Sequence, residues 1–277
     1  MGNNDASVSQ IEKDIKKNSG SKIGMIFIVL ILLQYYLFPV LTSAWILNDA
    51  KLVNNIFYFH TIISYVIIVF SLIVFREFEL DMFRDYFSLG IIVATCFLRA
   101  GLGGSDETVF KALLILIGII LTNYIIVNRK SIIVPDMKSV FIGVLWSVGV
   151  TVVLSLLRVL LDPGHRTLPA NILAYIINIS VFQLSFVTII EEAYFRGLLF
   201  GFLLMSGYKE NTALFIQAIL FWGIHYVRFG DPVLFWVIIP IYTLSATLVI
   251  KKYKMLYLTI MMHTIYNVFG GILVALI

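Results

Sequence analysis

The chain has 277 residues, of which 60% are hydrophobic and only 13% are charged, and its mean hydropathy is +0.98. Because soluble domains are typically about a quarter charged, this composition excludes an ordinary soluble domain and predicts a multi-pass membrane protein made of spanning helices. The net charge of +4 is small, so no nucleic-acid partner is expected, and the single cysteine excludes an internal disulfide.

The chain opens with a polar segment at 1–22 that contains four lysines, which predicts a disordered cytoplasmic tail. Apolar runs separated by clusters of charged and turn-forming residues follow. We predict an all-α transmembrane bundle of about eight or nine spans, with N-terminal spanning helices at 23–160 and a C-terminal transmembrane core at 161–277. The runs are 24–47, 52–75, 87–102, 109–127, 140–160, 171–205, 212–227, 233–250 and 255–277.

The distribution of basic residues predicts the orientation. If each run crosses once and the N-terminus is inside, thirteen Lys and Arg lie in inside segments and three lie outside. The positive-inside rule therefore predicts a multi-pass protein of the cell membrane with a cytoplasmic N-terminus. Arg99 and Arg158 lie near the outer ends of their runs and are expected to extend toward the membrane surface.

The run at 171–205 is too long for a simple crossing. Its 35 residues would extend about 52 Å as a straight helix, against about 30 Å of hydrocarbon. We expect this helix to tilt strongly, to break, or to begin outside the hydrocarbon.

The same run contains Glu191, Glu192 and Arg196 in an otherwise apolar setting. On a helix, Glu192 and Arg196 are four residues apart and are predicted to form an ion pair. Glu191 is rotated by about 100° from Glu192 and has no partner in the sequence. An unpaired ionisable residue within a span is a candidate functional residue.

Two later runs carry histidines at matching intervals. His225 follows Phe221 by four residues, and His263 precedes Asn267 by four residues. At about 1.5 Å per residue, Glu191 and His225 lie roughly 20 Å and His263 roughly 12 Å from the predicted cytoplasmic helix ends. We expect the three motifs to meet in one cavity that opens inward.

A carboxylate, two imidazoles and a carboxamide are suited to hydrolysis. Glu191 can act as a general base on water with help from a histidine, and the other histidine and Asn267 can stabilise an oxyanion. Glu191, His225 and His263 also form a plausible zinc set with one position left for water. The chain contains no HExxH pattern, so the common zinc-protease motif has no support.

The three motifs together resemble the CAAX-protease and bacteriocin-processing (CPBP, or Abi) family of intramembrane proteases. The family pattern is EExxxR, FxxxH and HxxxN or HxxxD on successive transmembrane helices, and the chain has EEAYFR from Glu191, FWGIH from Phe221 and HTIYN from His263. The resemblance covers about 185–269. It implies a CAAX-protease-like core that cleaves membrane-associated proteins or peptides near the cytoplasmic face.

The resemblance also implies roles for individual residues. Glu191 and His225 would activate water, and His263 and Asn267 would form the oxyanion hole. The residues implied to support this arrangement are Glu192, Arg196 and Phe221.

For cofactors, the resemblance favours a metal-free, glutamate-dependent mechanism. The family was long described as zinc metalloendopeptidases. In that version Glu191, His225 and His263 would be the zinc ligands.

Two alternatives remain at this point. A protein of the same fold could act without proteolysis, as a bacteriocin-immunity protein or as a scaffold for a sensor kinase. A small transporter could use Glu191 and the histidines to relay protons or bind a cation. The family's substrates include prenylated CAAX proteins, but the abundance of Ile, Tyr, Asn and Lys is typical of an AT-rich bacterial genome, in which prenylated substrates are not expected.

Overall fold

A computed structural model describes residues 24–37, 50–75, 83, 85–102, 108–162 and 167–277, so the predicted tail at 1–22 lies outside the described residues. The described part of the chain contains nine main helices and no strand, which confirms the all-α prediction. The helices are α1 (Gly24–Leu37), α2 (Ala50–Val74), α3 (Tyr86–Leu102), α4 (Thr108–Asn128), α5 (Met137–Leu161), α6 (Ile172–Met205), α7 (Glu210–Gly223), α8 (Leu234–Tyr253) and α9 (Leu256–Leu276).

Six of these helices, α2, α4, α5, α6, α8 and α9, are long and apolar enough to cross a membrane. Helices α1 and α3 are shorter apolar helices, and α7 continues into a 3₁₀ segment at Ile224–Arg228. Many large apolar side chains on their outer faces are exposed, which suits contact with lipid. The protein is therefore a polytopic helical bundle.

Short polar side chains cap several helix starts at the points where the sequence changes from polar to apolar. Asp136 accepts a 2.8 Å hydrogen bond from the backbone N–H of Ser139 at the start of α5, and Asn171 accepts one of 2.9 Å from Ala174 at the start of α6. These side chains satisfy backbone donors that have no partner inside the helix. The caps fix where α5 and α6 enter the bundle.

The buried apolar residues of both halves of the chain form one continuous core that extends from Ile28 in α1 to Met262 in α9. A polar network also joins the halves: Tyr194 of α6 donates a 2.9 Å hydrogen bond to the Gln34 side chain of α1, and Gln34 donates one of 2.7 Å to Ser64 of α2. The proposed division at 160/161 stays a prediction, but the N-terminal helices pack directly against the C-terminal core.

Helix α6 accommodates the long run at 171–205 without a break. It is continuous over 34 residues but contains two π-helical segments, Gln183–Val187 and Ala193–Leu199. The five residues between them, Thr188–Glu192, are α-helical and carry both glutamates. Because π segments often accompany functional sites, their position on either side of the glutamates draws attention to this stretch.

The two ends of α6 differ in burial. No residue of Ile172–Phe182 is buried, whereas every residue from 192 to 203 is buried. Glu191 lies at the boundary, with its side chain 14% exposed. The polar motif therefore sits where a closed interior meets a more open half of the bundle.

Arg158 does not extend toward the membrane surface as expected. It is buried, and its guanidinium donates two 2.7 Å hydrogen bonds to the two carboxylate oxygens of Asp231. Asp162 contributes a second ion pair at 2.9 Å. This cluster joins the end of α5 to the start of α8. The expectation was wrong because the partner, Asp231, is 73 residues away in the sequence.

The close contact between Gly197 and the Phe83 ring leads to a stability prediction. A Cβ at this position would lie 2.4 Å from the Phe83 ring, which is itself buried. Gly197→Ala is therefore expected to destabilise the protein by about 1–3 kcal/mol, because the overlap requires the packed ring to move. Gly149→Ala is the control, since a Cβ there would meet no atom within 4 Å. Equal thermal stability of the two variants in detergent would contradict this expectation.

Candidate active site

Glu192 is the centre of a buried hydrogen-bonded cluster. Its Oε1 accepts hydrogen bonds from Arg196 Nη1 at 3.0 Å, His263 Nδ1 at 2.8 Å and the Tyr242 hydroxyl at 3.1 Å. The Glu192 and Arg196 side chains are both fully buried. The ion pair predicted from their spacing is present, and Glu192 joins α6, α8 and α9 at one point.

Arg196 also packs on Phe221 of α7. The guanidinium carbon lies 3.5 Å from the centre of the Phe221 ring, which is a cation–π contact in a site removed from water. Phe221 in turn contacts the rings of His225 and His263. The aromatic residue of the FxxxH motif therefore connects the charged motif to the two histidines.

Glu191 faces the two histidines. Its Oε2 lies 3.8 Å from His225 Nε2 and 3.8 Å from His263 Nε2. These distances are too long for direct hydrogen bonds, and they are suitable for groups that share one water molecule. Within the described residues Glu191 Oε2 is buried and has no hydrogen-bond partner. The three sequence motifs converge on one point, as predicted.

The second nitrogen of each histidine is fixed by an acceptor. His225 Nδ1 lies 2.8 Å from the Phe221 carbonyl oxygen, and His263 Nδ1 lies 2.8 Å from a Glu192 carboxylate oxygen. A carbonyl and a carboxylate accept only, so Nδ1 carries a proton in both rings. The Nε2 atom of each ring is therefore the one that faces Glu191.

Asn267 lies in the same site and has a partner that the sequence did not indicate. Its side-chain nitrogen donates a 2.8 Å hydrogen bond to Gln183 Oε1, which also accepts one of 3.0 Å from Thr188. Gln183 is the first residue of a π segment in α6. The bond orients the Asn267 amide so that its second N–H is available for another acceptor.

A cavity of about 430 Å³ contains the predicted site. Glu191, His225, His263 and Asn267 all line it, as do apolar residues of α6 and α8. Helices α1 and α2 also contribute, through Tyr35 and His60. The contribution of His60 could not be inferred from the sequence, because no other polar motif residue lies near it in its apolar run; in the structure its ring packs against Tyr35 and Phe186.

The cavity occupies the end of the bundle opposite to the lysine-rich loops. On α6 its lining residues precede Glu192, on α7 they follow Leu220, and on α8 they precede Thr243. The loops rich in lysine, around Lys209 and Lys252, follow the other ends of α6 and α8. Two predictions from the sequence are therefore incompatible. If the lysine-rich loops are cytoplasmic, the cavity does not open inward.

Glu191, His225 and His263 meet only some of the requirements of a zinc site. Two imidazole nitrogens and a carboxylate oxygen are suitable donors, and each histidine donates its other N–H to an acceptor, as zinc ligands commonly do. The spacing is less suitable: 3.8 Å separates the Glu191 oxygen from each nitrogen, against about 3.3 Å for neighbouring ligands of tetrahedral zinc with bonds of about 2.0 Å. Within the described ranges, no group of three His, Cys, Asp or Glu has the arrangement of a metal site. The residues as placed do not fit zinc.

Comparison with known proteins supports the resemblance. Residues 169–269, which are 101 of the 277 residues, match the family described as type II CAAX prenyl endopeptidase Rce1-like. No curated protein and no solved structure gives a significant match. The match includes all three motifs and the Gln183 position. It supports the resemblance of residues 169–269 to CAAX proteases.

Proposed function

We propose, from the CAAX-protease-type domain at residues 169–269, that the chain is an intramembrane endopeptidase of the cell membrane that cleaves membrane-associated peptides or proteins. The observation that carries the proposal is the position of the Glu191 carboxylate between two imidazole nitrogens, at 3.8 Å from each, in a cavity inside the bundle. Such a carboxylate is placed to take a proton from a water molecule that attacks a peptide carbonyl.

In the first step the water oxygen forms a bond to the carbonyl carbon, and one water proton passes to Glu191. His225 assists, because its Nε2 accepts a hydrogen bond while Nδ1 donates to the Phe221 carbonyl at 2.8 Å. The carbonyl oxygen becomes an oxyanion. In the second step the carbon–nitrogen bond breaks, and Glu191 returns a proton to the leaving amine, so that the products are a carboxylic acid and an amine.

His263 and Asn267 are proposed to stabilise the oxyanion by hydrogen bonds. Since His263 Nδ1 already donates to Glu192, a second donor at Nε2 requires the ring to be a cation.

Glu192, Arg196 and Phe221 are proposed to support this arrangement and not to react. Glu192 holds the His263 ring at 2.8 Å, Arg196 neutralises Glu192, and Phe221 covers the guanidinium. Gln183 has a similar role for Asn267, through the 2.8 Å hydrogen bond between the two side chains. These four residues position the groups that contact the substrate.

The proposal is tested by cleavage in proteoliposomes, with a library of apolar peptides as probes. We expect cleavage by the purified protein to be unchanged when a strong chelator is added, because no step of the mechanism above uses a metal. Loss of cleavage with the chelator, and recovery on addition of zinc, would show instead that the enzyme depends on zinc, with Glu191, His225 and His263 as the candidate ligands. The wild-type protein with the chelator already saturated by zinc is the matched control.

The same measurement separates the protease from a non-proteolytic immunity protein or scaffold. A Glu191→Ala variant that lost all cleavage and still retained full biological activity in cells would favour the scaffold. The transporter has no specific support in the site, because the cavity residues suit attack on a carbonyl.

A further inference from the structure

The residues of α6, α7 and α8 that line the catalytic cavity lie in the same half of the bundle. On α6 they run from Tyr175 to Glu191, in the first part of the helix; on α8 they run from Leu234 to Tyr242. The contribution of α7 is at its end and continues into the following 3₁₀ segment, which contains His225. Neighbouring helices run in opposite directions, so these positions share one face of the membrane.

Burial shows that the other end is closed. From 192 to 203 every residue of α6 is buried, and beyond Glu192 the helix is covered by packed aromatic and aliphatic side chains. On the cavity side no residue of Ile172–Phe182 is buried, and Val227 and Arg228 at the cavity edge are both exposed. Within the part of the chain that the structure describes, Glu191 is therefore accessible only from the end that contains the start of α6 and the 228–233 connection.

The distribution of basic residues indicates which end of the bundle faces the cytoplasm. The closed end carries exposed basic side chains in three connections. The open end has five described cations: Arg228 is exposed, Arg99 and Lys111 are partly exposed, Lys51 lies at the start of α2, and Arg158 is buried and paired with Asp231 at 2.7 Å. Basic residues concentrate on the cytoplasmic side of membrane proteins. The basic residues described at the closed end are Arg129, Lys130, Lys138, Lys209, Lys251, Lys252 and Lys254.

We propose that the catalytic cavity opens on the extracytoplasmic side of the membrane, and that the substrate is an exported peptide segment that reaches Glu191 from the outer face. The part of this inference that concerns the substrate rests on the proposed function, whereas the direction in which the cavity opens does not depend on catalysis. The reaction that supplies the substrate must then be translocation across the membrane. A prenylated protein that stays in the cytoplasm would not reach the site.

The exposed first part of α6 further defines the substrate. Ile177 and Phe182 are largely exposed apolar residues of this segment, and Phe182 also lines the cavity. An apolar segment that lies in the outer leaflet can therefore move along α6 toward Glu191 without crossing the bundle. The preferred substrate is an apolar segment at the membrane, in an extended form that exposes its peptide bonds.

Cysteine labelling tests the direction of the opening. Cys96 is the only cysteine and is buried, so a Cys96→Ala background leaves single introduced cysteines as the reactive groups. Phe229→Cys reports on the open end and Lys252→Cys on the closed end, since both positions are exposed. Ile179→Cys reports on the cavity itself. The probe is a charged maleimide that does not cross membranes, applied to intact spheroplasts and then to permeabilised ones.

We expect Phe229→Cys and Ile179→Cys to be labelled in intact spheroplasts, and Lys252→Cys to be labelled only after permeabilisation. The reverse pattern would overturn the proposal, and so would labelling of both ends in intact spheroplasts, which indicates mixed orientation. If Phe229→Cys does not accumulate, Val227→Cys takes its place, because it is exposed at the cavity edge. Labelling needs no proteolysis, so failure of the cleavage assay and failure of this proposal are separate results.

Discussion

Replacing Glu191 with glutamine is expected to lower the rate of peptide cleavage by about 10²–10⁴-fold, which is the usual contribution of a general base. Glutamine has the same shape but cannot accept a proton from water. The change should not weaken the fold, because among the described residues the buried Oε2 of Glu191 has no hydrogen bond to lose. Single-turnover cleavage in proteoliposomes and thermal unfolding in detergent would measure the two effects separately.

Glu192→Gln is the matched control, since it makes the same chemical change at the next residue. Glu192 Oε1 accepts hydrogen bonds from three side chains, so its replacement should lower both stability and activity. The difference between the variants is informative: activity alone should fall for Glu191→Gln. A Glu191→Gln variant that cleaved at the wild-type rate would assign the base to another residue.

The second large effect is expected at Arg196. Arg196→Met should destabilise the protein by about 3–5 kcal/mol, because it leaves the fully buried Glu192 without its cation. Methionine keeps an unbranched apolar stem but ends one atom before the guanidinium carbon that lies over Phe221, so the substitution removes the charge together with its cation–π contact. Unfolding in mixed micelles at increasing concentrations of denaturing detergent would measure the difference in stability.

A double variant completes this experiment. Glu192→Gln combined with Arg196→Met removes both charges, so it should be more stable than Arg196→Met alone even though it is also inactive. Lys252→Met is the control for loss of a cation at an exposed position and should lie within about 0.5 kcal/mol of wild type. If Arg196→Met were as stable as Lys252→Met, the buried ion pair would have no structural role.

The sequence was sufficient to group the residues of the candidate site but not to find all their partners. Glu191, His225 and His263 could be grouped because ionisable residues are rare in spans and because the three motifs have characteristic spacings. Gln183 and Tyr242 could not be found in this way. Gln183 contacts Asn267 over 84 positions and Tyr242 contacts Glu192 over 50 positions, and neither distance follows from a helical period.

The end of the bundle at which the cavity opens could not be predicted from the sequence either. Counting residues gave similar depths for Glu191 and His225, and this supported a common site. Depth alone does not show which end of a helix is open, because the answer depends on how closely the helices pack. The cover over the Lys209 end of α6 comes from distant residues such as Phe27 and Phe75, which contact Phe202.

The two π segments of α6 make the number of residues in this helix as important as their identity. A π segment holds one residue more than the α-helical turn that it replaces, since its N–H groups bond to the fifth residue back; Thr188 bonds to Gln183 and Phe200 to Phe195 in this way. Deleting one residue from Gln183–Val187 would let this turn return to regular α-helix, and the residues before it would keep their orientation relative to Glu191. Inserting one further residue there would instead rotate everything before it by about 100° relative to Glu191. Tyr175 and Phe182 would then leave the cavity lining although every motif residue was kept. Single-residue insertions in this segment should therefore be more harmful than single-residue deletions.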